Sequence, residues 1–403
     1  MKVVIVGGGI GGLVTALVLS DAGIACAVYE RSPEVRELGV GINLLPHAVA
    51  PLAALGLLGR LGAAGVETGE LRYAHRLGQE IVRRPCGRRA GHAVPQFSIH
   101  RGRLLTLLYA AALERGVPVR LGHRLTGFSQ DGGSVRARFA DGEVEGDVLV
   151  GADGIHSTVR AALFPEEGPP RWNGVLMWRG ATDHPAYLDG RTMIVAGGTA
   201  AKLVLYPIAA GDTPRTRLTN WAICIGSAPP GTPPPVGADW TRPGDLAQVL
   251  THLERFGSPY VDVAGLVTAT RTFYEYPMCD RDPLPHWTRG RVTLLGDAAH
   301  PMYPMGSNGA GQAILDAITL RDRLCEEPDP AAALRAYDGV RRPATAEVVL
   351  RNRAGGPERV IDEVEKRAPD GFTRLADVID DAAIDAILAG YQAASVTPDP
   401  RRS

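Results

Sequence analysis

The chain has 403 residues, of which 45% are hydrophobic and 22% are charged, and its formal net charge at pH 7 is −1. This length favours more than one domain, and the composition is that of an ordinary globular protein. A net charge so near zero gives no electrostatic reason to expect nucleic acid or an anionic membrane as a partner, and no apolar run approaches the roughly 18 residues of a membrane helix.

The five cysteines are scattered along the chain without a C-x-x-C pair. An odd, dispersed set predicts neither a disulfide framework nor a zinc site, and it favours a reducing compartment. The opening MKVVIVGGG reaches glycine too early for the apolar region of a secretory signal. We therefore expect a cytoplasmic protein.

The first predicted elements are a strand, a glycine turn and a helix. Residues 3–6 form a continuous apolar run, typical of a parallel strand that is buried on both faces. Gly7, Gly9 and Gly12 then give G-x-G-x-x-G, in which the first glycine permits the tight turn, the second admits a pyrophosphate and the third lets helix and strand pack closely. The segment predicts a dinucleotide site.

A second strand over residues 25–29 ends at Glu30, 18 residues beyond the last glycine of the motif. A carboxylate at that position suits the hydroxyls of a ribose, and the adjacent Arg31 is a further candidate cofactor ligand. The motif alone does not choose between NAD and FAD. A nicotinamide dehydrogenase would continue with alternating strands and helices, whereas this chain runs into GVGINLLPHAV and then a helix around residues 52–61. Within GVGINLLPHAV, Gly41 is a candidate cofactor contact, and His47 is a candidate catalytic residue.

An arginine begins the next predicted helix. In QFSIHRGRLLTLL, Arg101 follows an incoming strand and precedes apolar residues at helical spacing. It is placed to reach a phosphate or ribose, and the alternative is a solvated charge at the start of the helix.

A second strand, turn and helix unit lies in GDVLVGADGIHSTVRAALF. Residues 148–150 predict a strand, and residues 157–163 predict a helix. Asp153 in the turn is expected to cap that helix and also to face a cofactor lying along the strand ends.

The segment RVTLLGDAAHPMYPMGSNGAGQAILD repeats this arrangement, with a strand over residues 292–295 and a helix from about Gln312. Asp297 at the strand end suits a polyol hydroxyl. The backbone N–H groups near Gly309 and Ala310 suit a partly negative acceptor, such as the N1–C2=O edge of a flavin.

Two other interpretations of this segment fare worse. His300 with Met302 and Met305 suggests soft copper ligands, but no cysteine or second histidine is near, so no metal is expected. Ser307 lies in G-S-N-G rather than in the G-x-S-x-G of a hydrolase.

Three separated segments thus carry the same cofactor signal. On them the chain resembles the FAD-dependent aromatic monooxygenases of the para-hydroxybenzoate hydroxylase type, and within these the 5-methylphenazine-1-carboxylate 1-monooxygenases of phenazine pigment biosynthesis. The resemblance rests on GVGINLLPHAV, QFSIHRGRL, GADGIHSTVR, MWRG, LDGRTMIVA, YPMCDRDPLPHW and GRVTLLGDAAHPMYPMGSNGAGQAILD. It does not cover residues 209–267 or those after about 345.

The resemblance implies an α/β fold in which a Rossmann-like FAD-binding domain of the glutathione-reductase type is interrupted by a β-sheet substrate domain and followed by a helical C-terminal segment. The expected bounds are 1–75, 97–172 and 276–345 for the FAD domain, 76–96 and 173–275 for the sheet domain, and 346–403 for the C-terminal helices and tail. The residues agree, since short strand-like runs separated by turns occur at 177–180, 191–196, 202–207 and 218–225. The proline-rich residues 228–237 predict a surface excursion, and Pro343 predicts a break in a helix.

The implied chemistry is hydroxylation of a planar aromatic or heteroaromatic substrate through a flavin C4a-hydroperoxide. FAD would be bound non-covalently, and O2 and NAD(P)H would be co-substrates. With one G-x-G-x-x-G, NAD(P)H is expected to dock only transiently. Hydroxylation that replaces a carboxylate with loss of CO2 is implied by the narrower resemblance. The protein is expected to act as a monomer or homodimer.

The resemblance places Pro304 beside the flavin ring, with Met305 flanking it. From the residues, Tyr206 is a candidate substrate donor or a packed sheet tyrosine. Trp178 and Arg179 alternate on the faces of one strand, so one of these candidate pocket residues is expected to line the substrate pocket. Arg179 could bind a carboxylate or form a salt bridge. His47 could carry protons or simply pack at a helix start.

Three other functions use a similar flavin site. A flavin halogenase would carry W-x-W-x-I-P, which this chain lacks. A flavin reductase acting on a polycyclic or isoprenoid substrate would insert no oxygen, and a non-enzymatic FAD carrier would show no substrate-stimulated NAD(P)H oxidation.

Overall fold

A computed structural model describes residues 1–35, 40–234 and 242–395, with residues 390–395 as backbone only. In chain order its strands are β1 (Lys2–Val6), β2 (Ala25–Glu30), β3 (Gly41–Leu44), β4 (Gly65–Thr68), β5 (Glu70–Ala74), β6 (Glu80–Pro85), β7 (Gln96–His100), β8 (Val119–Leu121), β9 (Leu125–Gln130), β10 (Val135–Phe139), β11 (Gly142–Gly146), β12 (Val148–Gly151), β13 (Arg171–Pro185), β14 (Thr192–Ala196), β15 (Ala201–Ala210), β16 (Thr216–Gly226), β17 (Phe273–Asp280) and β18 (Val292–Leu294).

The α-helices are, in the same order, α1 (Ile10–Asp21), α2 (Pro46–Ala54), α3 (Leu58–Ala64), α4 (Arg101–Glu114), α5 (Thr158–Leu163), α6 (Leu246–Leu250), α7 (Val263–Thr268), α8 (Gly309–Glu326), α9 (Pro330–Arg353), α10 (Arg359–Arg367) and α11 (Asp381–Ser395). Gly39, residues 235–237 of the proline-rich segment and the tail from residue 396 lie outside the described residues.

A five-stranded parallel sheet, in the order β18-β12-β1-β2-β8, forms the centre of the larger domain. Val3, Val4 and Ile5 of β1 are completely buried, because α1, α4 and α8 contribute to the same apolar core. Burying such a side chain contributes about 1.5–3 kcal/mol each, which explains the continuous apolar run in the sequence. The predicted Rossmann-like arrangement is confirmed.

The second domain is built on a seven-stranded sheet, here called the roof sheet, in the order β17-β13-β16-β15-β14-β5-β6. Its neighbours are antiparallel except for β14 and β5. The outer face packs against α6 and α7, and the inner face packs against the turn that precedes α8 and against the C-terminal helices. The predicted sheet domain is confirmed, and a smaller sheet, β3-β7-β4, lies where the two domains meet.

Several boundaries of domains and helices differ from the predicted ones. The roof sheet takes in Glu70–Ala74 and Phe273–Asp280, so it extends beyond the expected bounds at 76 and 275 on both sides. The helix expected around residues 52–61 is two helices, α2 and α3. Helix α8 begins at Gly309, three residues earlier than expected.

The C-terminal segment is helical, as predicted, but the break expected at Pro343 is wrong. Helix α9 runs without interruption from Pro330 to Arg353, with Pro343 inside it. The border proposed at residue 345 therefore falls within a helix. Beyond α9, helices α10 and α11 cover the inner face of the roof sheet beside β14, β5 and β6.

Among the helices that the structure describes, none is long and apolar enough to cross a membrane.

Candidate functional site

The three strand ends that the sequence singled out are neighbours in the parallel sheet. Val6 of β1 lies opposite Gly151 of β12, which in turn lies opposite Leu294 of β18. Two strand spacings separate the outer pair, so the turns after β1 and β18 begin within about 10 Å of each other. The segments that follow β1 and β18 also lie close together. A Cβ at Gly11, in α1, would lie 2.8 Å from Cδ2 of Leu295, which follows β18.

The three glycines of the first turn differ in what surrounds them. A Cβ at Gly12 would lie 2.0 Å from Gly7 O, and one at Gly7, where φ is +109°, would lie 2.3 Å from Ala152 O. These two glycines are required by close backbone packing. Gly9 has extended backbone geometry and no heavy atom within 4 Å of the Cβ position. Nothing in the described chain fills the space in front of Gly9.

Two helix N-termini lie at this edge without side-chain caps. Neither α1 nor α8 has a capping side chain or an acidic residue in its first turn. Gly309, the first residue of α8, likewise has no heavy atom within 4 Å of its Cβ position. The first N–H groups of both helices therefore lack an intrahelical partner and favour an acceptor with negative charge.

Glu30 is oriented by the backbone on both sides. Its Oε2 accepts a hydrogen bond from Gly8 N at 2.7 Å, and its Oε1 accepts one from Ser32 N at 2.8 Å. The carboxylate is thus held beside the glycine turn at the end of β2. Arg31 is exposed.

Asp297 follows β18 in a short 3-10 turn, Gly296–Ala298. Its side chain is exposed, yet burial of its surroundings raises the pKa of the carboxyl, while His300 and Arg101 act in the opposite direction. Asp297 is therefore accessible while protein surrounds its carboxylate, as expected for a residue in the wall of a cleft. Arg101, at the start of α4, is brought to the same cleft from a distant part of the sequence.

Asp153 caps its own helix. It accepts hydrogen bonds from Ser157 Oγ at 2.5 Å and from Thr158 N at 2.7 Å, at the start of α5. Burial raises the pKa of its carboxyl, and these hydrogen bonds oppose that shift. Both carboxylate oxygens are engaged within the turn, so capping accounts for Asp153.

Gly41 lies where the two domains touch. Its N–H donates to Asn220 Oδ1 at 2.7 Å, and its carbonyl accepts from Arg179 at 2.5 Å. A Cβ at Gly41 would lie 2.5 Å from Tyr206 Cε2, so only glycine lets β3 approach the roof sheet this closely. The packing against the roof sheet explains this glycine without a cofactor contact.

Arg179 projects from the inner face of the roof sheet and is enclosed by protein. It donates to Tyr206 Oη at 3.3 Å and also bonds Tyr276, but its Nε is buried without a partner among the described residues. Among those residues, none of the largest electrostatic influences on Arg179 is a carboxylate. Burial lowers its pKa, but Tyr276 and Tyr206 more than compensate, so the guanidinium stays charged.

Tyr206 and Asn220 complete this inner-face cluster. Burial raises the pKa of the Tyr206 hydroxyl, which keeps it protonated as a donor, and Asn220 Nδ2 has no partner in the described part of the chain. Asn220 and Tyr276 were not anticipated from the sequence, since nothing local distinguishes them from other strand residues.

Trp178 lies on the face of the roof sheet opposite Arg179. Strand alternation points it to the outer face, where it is 3% exposed within the core formed with α6 and α7. Its Nε1 donates to Glu275 Oε2 at 2.8 Å. Trp178 therefore supports the roof sheet from the side opposite Arg179.

His47 packs against the first turn of α8. A Cβ at Gly311 would lie 2.6 Å from its Nε2, and that nitrogen is buried with no hydrogen-bond partner among the described residues. Burial, with smaller contributions from Arg341 and His92, lowers the pKa of His47 to about 4. The imidazole is neutral near pH 7 and a weak base there.

The turn at residues 303–307, here called the 303–307 turn, connects the Asp297 loop to α8. Pro304 is exposed, whereas Met305 is buried against the inner face of the roof sheet. Gly306 has φ of 62° and Ser307 has φ of 59°, a region that a serine rarely adopts. The Met305 sulfur lies 3.1 Å from Lys202 Nζ, and Lys202 is ion-paired with Glu358, an interaction that sequence patterns did not reveal.

A buried ionic network supports the Asp297 loop from behind. Asp316 of α8 contacts His300 Nε2 at 2.6 Å, accepts from Gly296 N at 3.0 Å and pairs with Arg341 Nε at 2.7 Å. Burial would raise the pKa of Asp316, but His300 and Arg341 outweigh it and lower the pKa below its usual value. The network holds β18, the loop and α8 in one arrangement.

FAD fits these features. Space in front of Gly9, two uncapped helix N-termini, an oriented carboxylate at Glu30 and an accessible one at Asp297 lie along one edge of a parallel sheet. Such an edge is where dinucleotides bind in doubly wound folds. Fold and site together define a flavin-dependent oxidoreductase.

The chain belongs to the FAD binding domain family, whose model matches residues 1–196 and 270–352. It is 43% identical to the phenazine 1,6-dicarboxylic acid hydroxylase PhzS of Lysobacter antibioticus, with 87% of this chain and 89% of that protein covered. It is 33% identical to the 3-amino-4-hydroxybenzoate 2-monooxygenase of Streptomyces cremeus, with 93% and 94% covered, and 34% identical to 3-hydroxybenzoate 6-hydroxylase 1 of Aquipseudomonas alcaligenes, with 87% and 88% covered.

A solved structure agrees. A single-residue variant of Klebsiella pneumoniae HpxO, complexed with FAD, matches with a TM-score of 0.73 and 25% identity, over 98% of this chain and 94% of that one. The protein is an FAD-dependent aromatic monooxygenase, with NAD(P)H and O2 as co-substrates. The reductase alternative is not favoured.

Proposed function

We propose that the substrate is a planar heteroaromatic carboxylic acid of the phenazine type, hydroxylated in secondary metabolism, and that Arg179 binds its carboxylate. The observation that carries the proposal is a charged, enclosed guanidinium with an unpartnered Nε and no carboxylate partner in the described ranges. Burying such a charge is costly unless an anion joins it. A carboxylate that accepts two N–H groups of Arg179 would supply that charge.

The names of similar proteins support the same class. The Lysobacter antibioticus protein is named for acting on an aromatic dicarboxylic acid, and the Streptomyces cremeus protein is named for acting on an aromatic monocarboxylate. A cation on the inner face of the roof sheet offers one site that either kind of acid could use.

We assign the cofactor contacts as follows. The space at Gly9 and the N-terminus of α1 receive the pyrophosphate, with Gly7 and Gly12 shaping the turn, and Glu30 accepts from the ribose hydroxyls. Farther along the edge, Asp297 accepts from the polyol chain, Arg101 reaches a phosphate or ribose, and the amides of Gly309 and Ala310 face the flavin N1–C2=O edge. Arg31, Asp153 and Gly41 are assigned no FAD contact, because Arg31 is solvent-exposed, helix capping accounts for Asp153 and packing against the roof sheet accounts for Gly41.

When bound, FAD accepts reducing equivalents from NAD(P)H and activates O2. The chain's own groups bind and orient the substrate and exclude water. Arg179 binds the substrate carboxylate, and Tyr206 donates to a substrate oxygen. Pro304 and Met305 lie beside the flavin ring, on the side of the 303–307 turn. His47 serves as packing against α8 rather than as a proton carrier, because its pKa is about 4.

We also propose a cytoplasmic location and a monomer or homodimer. The support for the location is that all five cysteines are free, three of them buried, as expected in a reducing compartment.

The test is a substrate screen with the FAD-loaded protein. Phenazine-1-carboxylate, phenazine-1,6-dicarboxylate, substituted benzoates and unsubstituted phenazine are compared for stimulation of NADH and NADPH oxidation, and products are identified by mass spectrometry. We expect the phenazine acids to stimulate most, and the product mass reports whether the carboxylate is replaced.

Two variants accompany the screen. Arg179→Met is expected to abolish the preference for acids over unsubstituted phenazine. Arg72→Met is the control, because Arg72 lies on the same sheet but is paired with Glu70 and Glu80. A screen in which neutral phenazine matches the acids, or in which Arg179→Met keeps the preference, contradicts the proposal.

A further inference from the structure

We propose that the C-terminal segment positions the 303–307 turn, and that Glu358, assisted by Lys202, is the positioning residue that carries this. The inference rests on the proposed function in one respect, namely that this turn bounds the flavin ring.

Glu358 reaches the turn from a short 3-10 turn, Gly356–Glu358, between α9 and α10. It is buried, and its Oε1 accepts from Gly306 N at 3.4 Å, while its Oε2 is ion-paired with Lys202. Lys202 is 4% exposed on the inner face of the roof sheet, and its Nζ lies 3.1 Å from Met305 Sδ. One buried ion pair thus contacts both Met305 and Gly306 and joins three parts of the chain.

The same segment holds the turn at a second place. Asn352 Nδ2 donates to Tyr303 O at 2.9 Å. Arg353 pairs with Asp280 at 2.6 Å, and Asp280 also accepts from the Tyr303 hydroxyl. Residues 352–358 therefore contact the turn at its beginning and near its centre.

The backbone of the turn explains why such support is needed. Gly306 and the non-glycine Ser307 are both in the left-handed region. A conformation of this kind persists only when surrounding contacts determine it. Because α8 begins two residues later, the direction of the turn also sets where the first N–H groups of α8 point.

Glu358 differs from the other carboxylates of its segment because it accepts from the turn's own backbone. Glu365, farther along in α10, accepts from Arg76 N at 2.9 Å and Gly198 N at 3.2 Å, both in roof-sheet connections away from the turn. Glu365→Gln is therefore a matched control, since it neutralises a carboxylate of the same segment that also binds backbone amides.

The experiment compares Glu358→Ala, Glu358→Gln and Glu365→Gln. Hydrogen exchange of the peptide containing Gly306 is measured in FAD-free protein, and FAD dissociation constants are measured by fluorescence. In the loaded enzyme, the share of oxidised NAD(P)H that yields hydroxylated product rather than hydrogen peroxide is determined. The first two measurements need no substrate, so they hold or fail independently of the proposed substrate.

For Glu358→Ala we expect exchange near Gly306 to accelerate about tenfold, FAD to bind about tenfold more weakly and more peroxide to be released. Glu358→Gln keeps an acceptor oxygen and is expected to recover much of the protection. Glu365→Gln is expected to match the parent protein in all three measurements. If Glu358→Ala fails to fold, the pair Lys202→Met with Glu358→Leu replaces the ion pair with apolar side chains and still lacks the acceptor.

Unchanged exchange near Gly306 in every folded variant that lacks the acceptor would overturn the proposal. So would a lower melting temperature with unaltered FAD affinity and product share, since that pattern identifies a merely structural ion pair.

Discussion

The contrast between Gly9 and Gly12 yields a sharp prediction about where FAD binds. Both belong to the glycine turn, but a Cβ at Gly12 would lie 2.0 Å from Gly7 O, whereas none of the described heavy atoms lies within 4 Å of a Cβ at Gly9. Gly12→Ala should therefore damage the FAD-free fold. Gly9→Ala should leave that fold intact and obstruct the cofactor.

The magnitudes follow from the local geometry. Gly9 has φ of −75° and ψ of −176°, which alanine adopts without strain. Alanine restricts the unfolded chain more than glycine does, which stabilises the folded protein by about 0.4–1 kcal/mol. The loss of glycine at the N-cap of α1 destabilises the helix by a similar amount. The free energy of unfolding should therefore change by less than about 1 kcal/mol. Overpacking at Gly12 should cost about 1–3 kcal/mol or more. A methyl group in front of Gly9 is expected to weaken FAD binding by about 10–100-fold, or about 1.4–2.8 kcal/mol.

The assay is urea unfolding of FAD-free protein for both variants, with FAD affinity measured by quenching of flavin fluorescence. The reasoning is refuted if Gly9→Ala binds FAD as the parent does. It is equally refuted if Gly9→Ala destabilises the FAD-free protein as much as Gly12→Ala.

Four further predictions concern single side chains. Arg179→Met should raise KM for aromatic acids by about 100-fold, the loss of one charged bidentate contact, and should destabilise the FAD-free protein in urea by about 1–3 kcal/mol, because Gly41 O and Tyr206 lose their Arg179 donor. Asp316→Asn should lower the free energy of unfolding by about 3–5 kcal/mol at neutral pH. Because folding lowers the pKa of this carboxyl, its stabilisation is present above the ordinary value of 3.8 and is lost as the pH falls below it. The unfolding curves of the two proteins should therefore converge in acid. His47→Gln should leave the pH dependence of kcat/KM unchanged between about pH 6 and 9, since a group with a pKa of about 4 does not titrate there. Asp297→Asn should weaken FAD by about tenfold in a fluorescence titration while the far-UV circular dichroism stays the same.

The cofactor edge could be predicted because its signals are local. The glycine turn at Gly7, the acid at Glu30 and the strand-end Asp297 each lie within a few residues of the strand that positions them. Parallel strands then bring their carboxyl ends to one edge, so short patterns suffice. The resemblance to a known family supplied the order of the domains.

The substrate side could not be predicted in the same way, because its contacts join distant parts of the chain. Gly41 meets Asn220, 179 residues away, and nothing in the sequence around either residue indicates that the two are in contact. Strand alternation showed that only one of Trp178 and Arg179 could face the site, but the choice depends on which face α6 and α7 cover.

The helix through Pro343 shows packing overriding a local rule. Proline inside a helix removes one hydrogen bond and was expected to end it. Arg341 and Thr345, on either side, are buried, and Arg341 pairs with Asp316 of α8. Tertiary contacts of this kind stabilise the helix beyond its intrinsic propensity.

Oxygen labelling tests the central claim most directly. The FAD-loaded protein is supplied with NAD(P)H and a phenazine carboxylic acid under ¹⁸O2, and the product is analysed by mass spectrometry. The account predicts one ¹⁸O atom on the aromatic ring of the product and NAD(P)H oxidation that depends on the acid. A product without the label, or turnover that continues when O2 is removed, would contradict it.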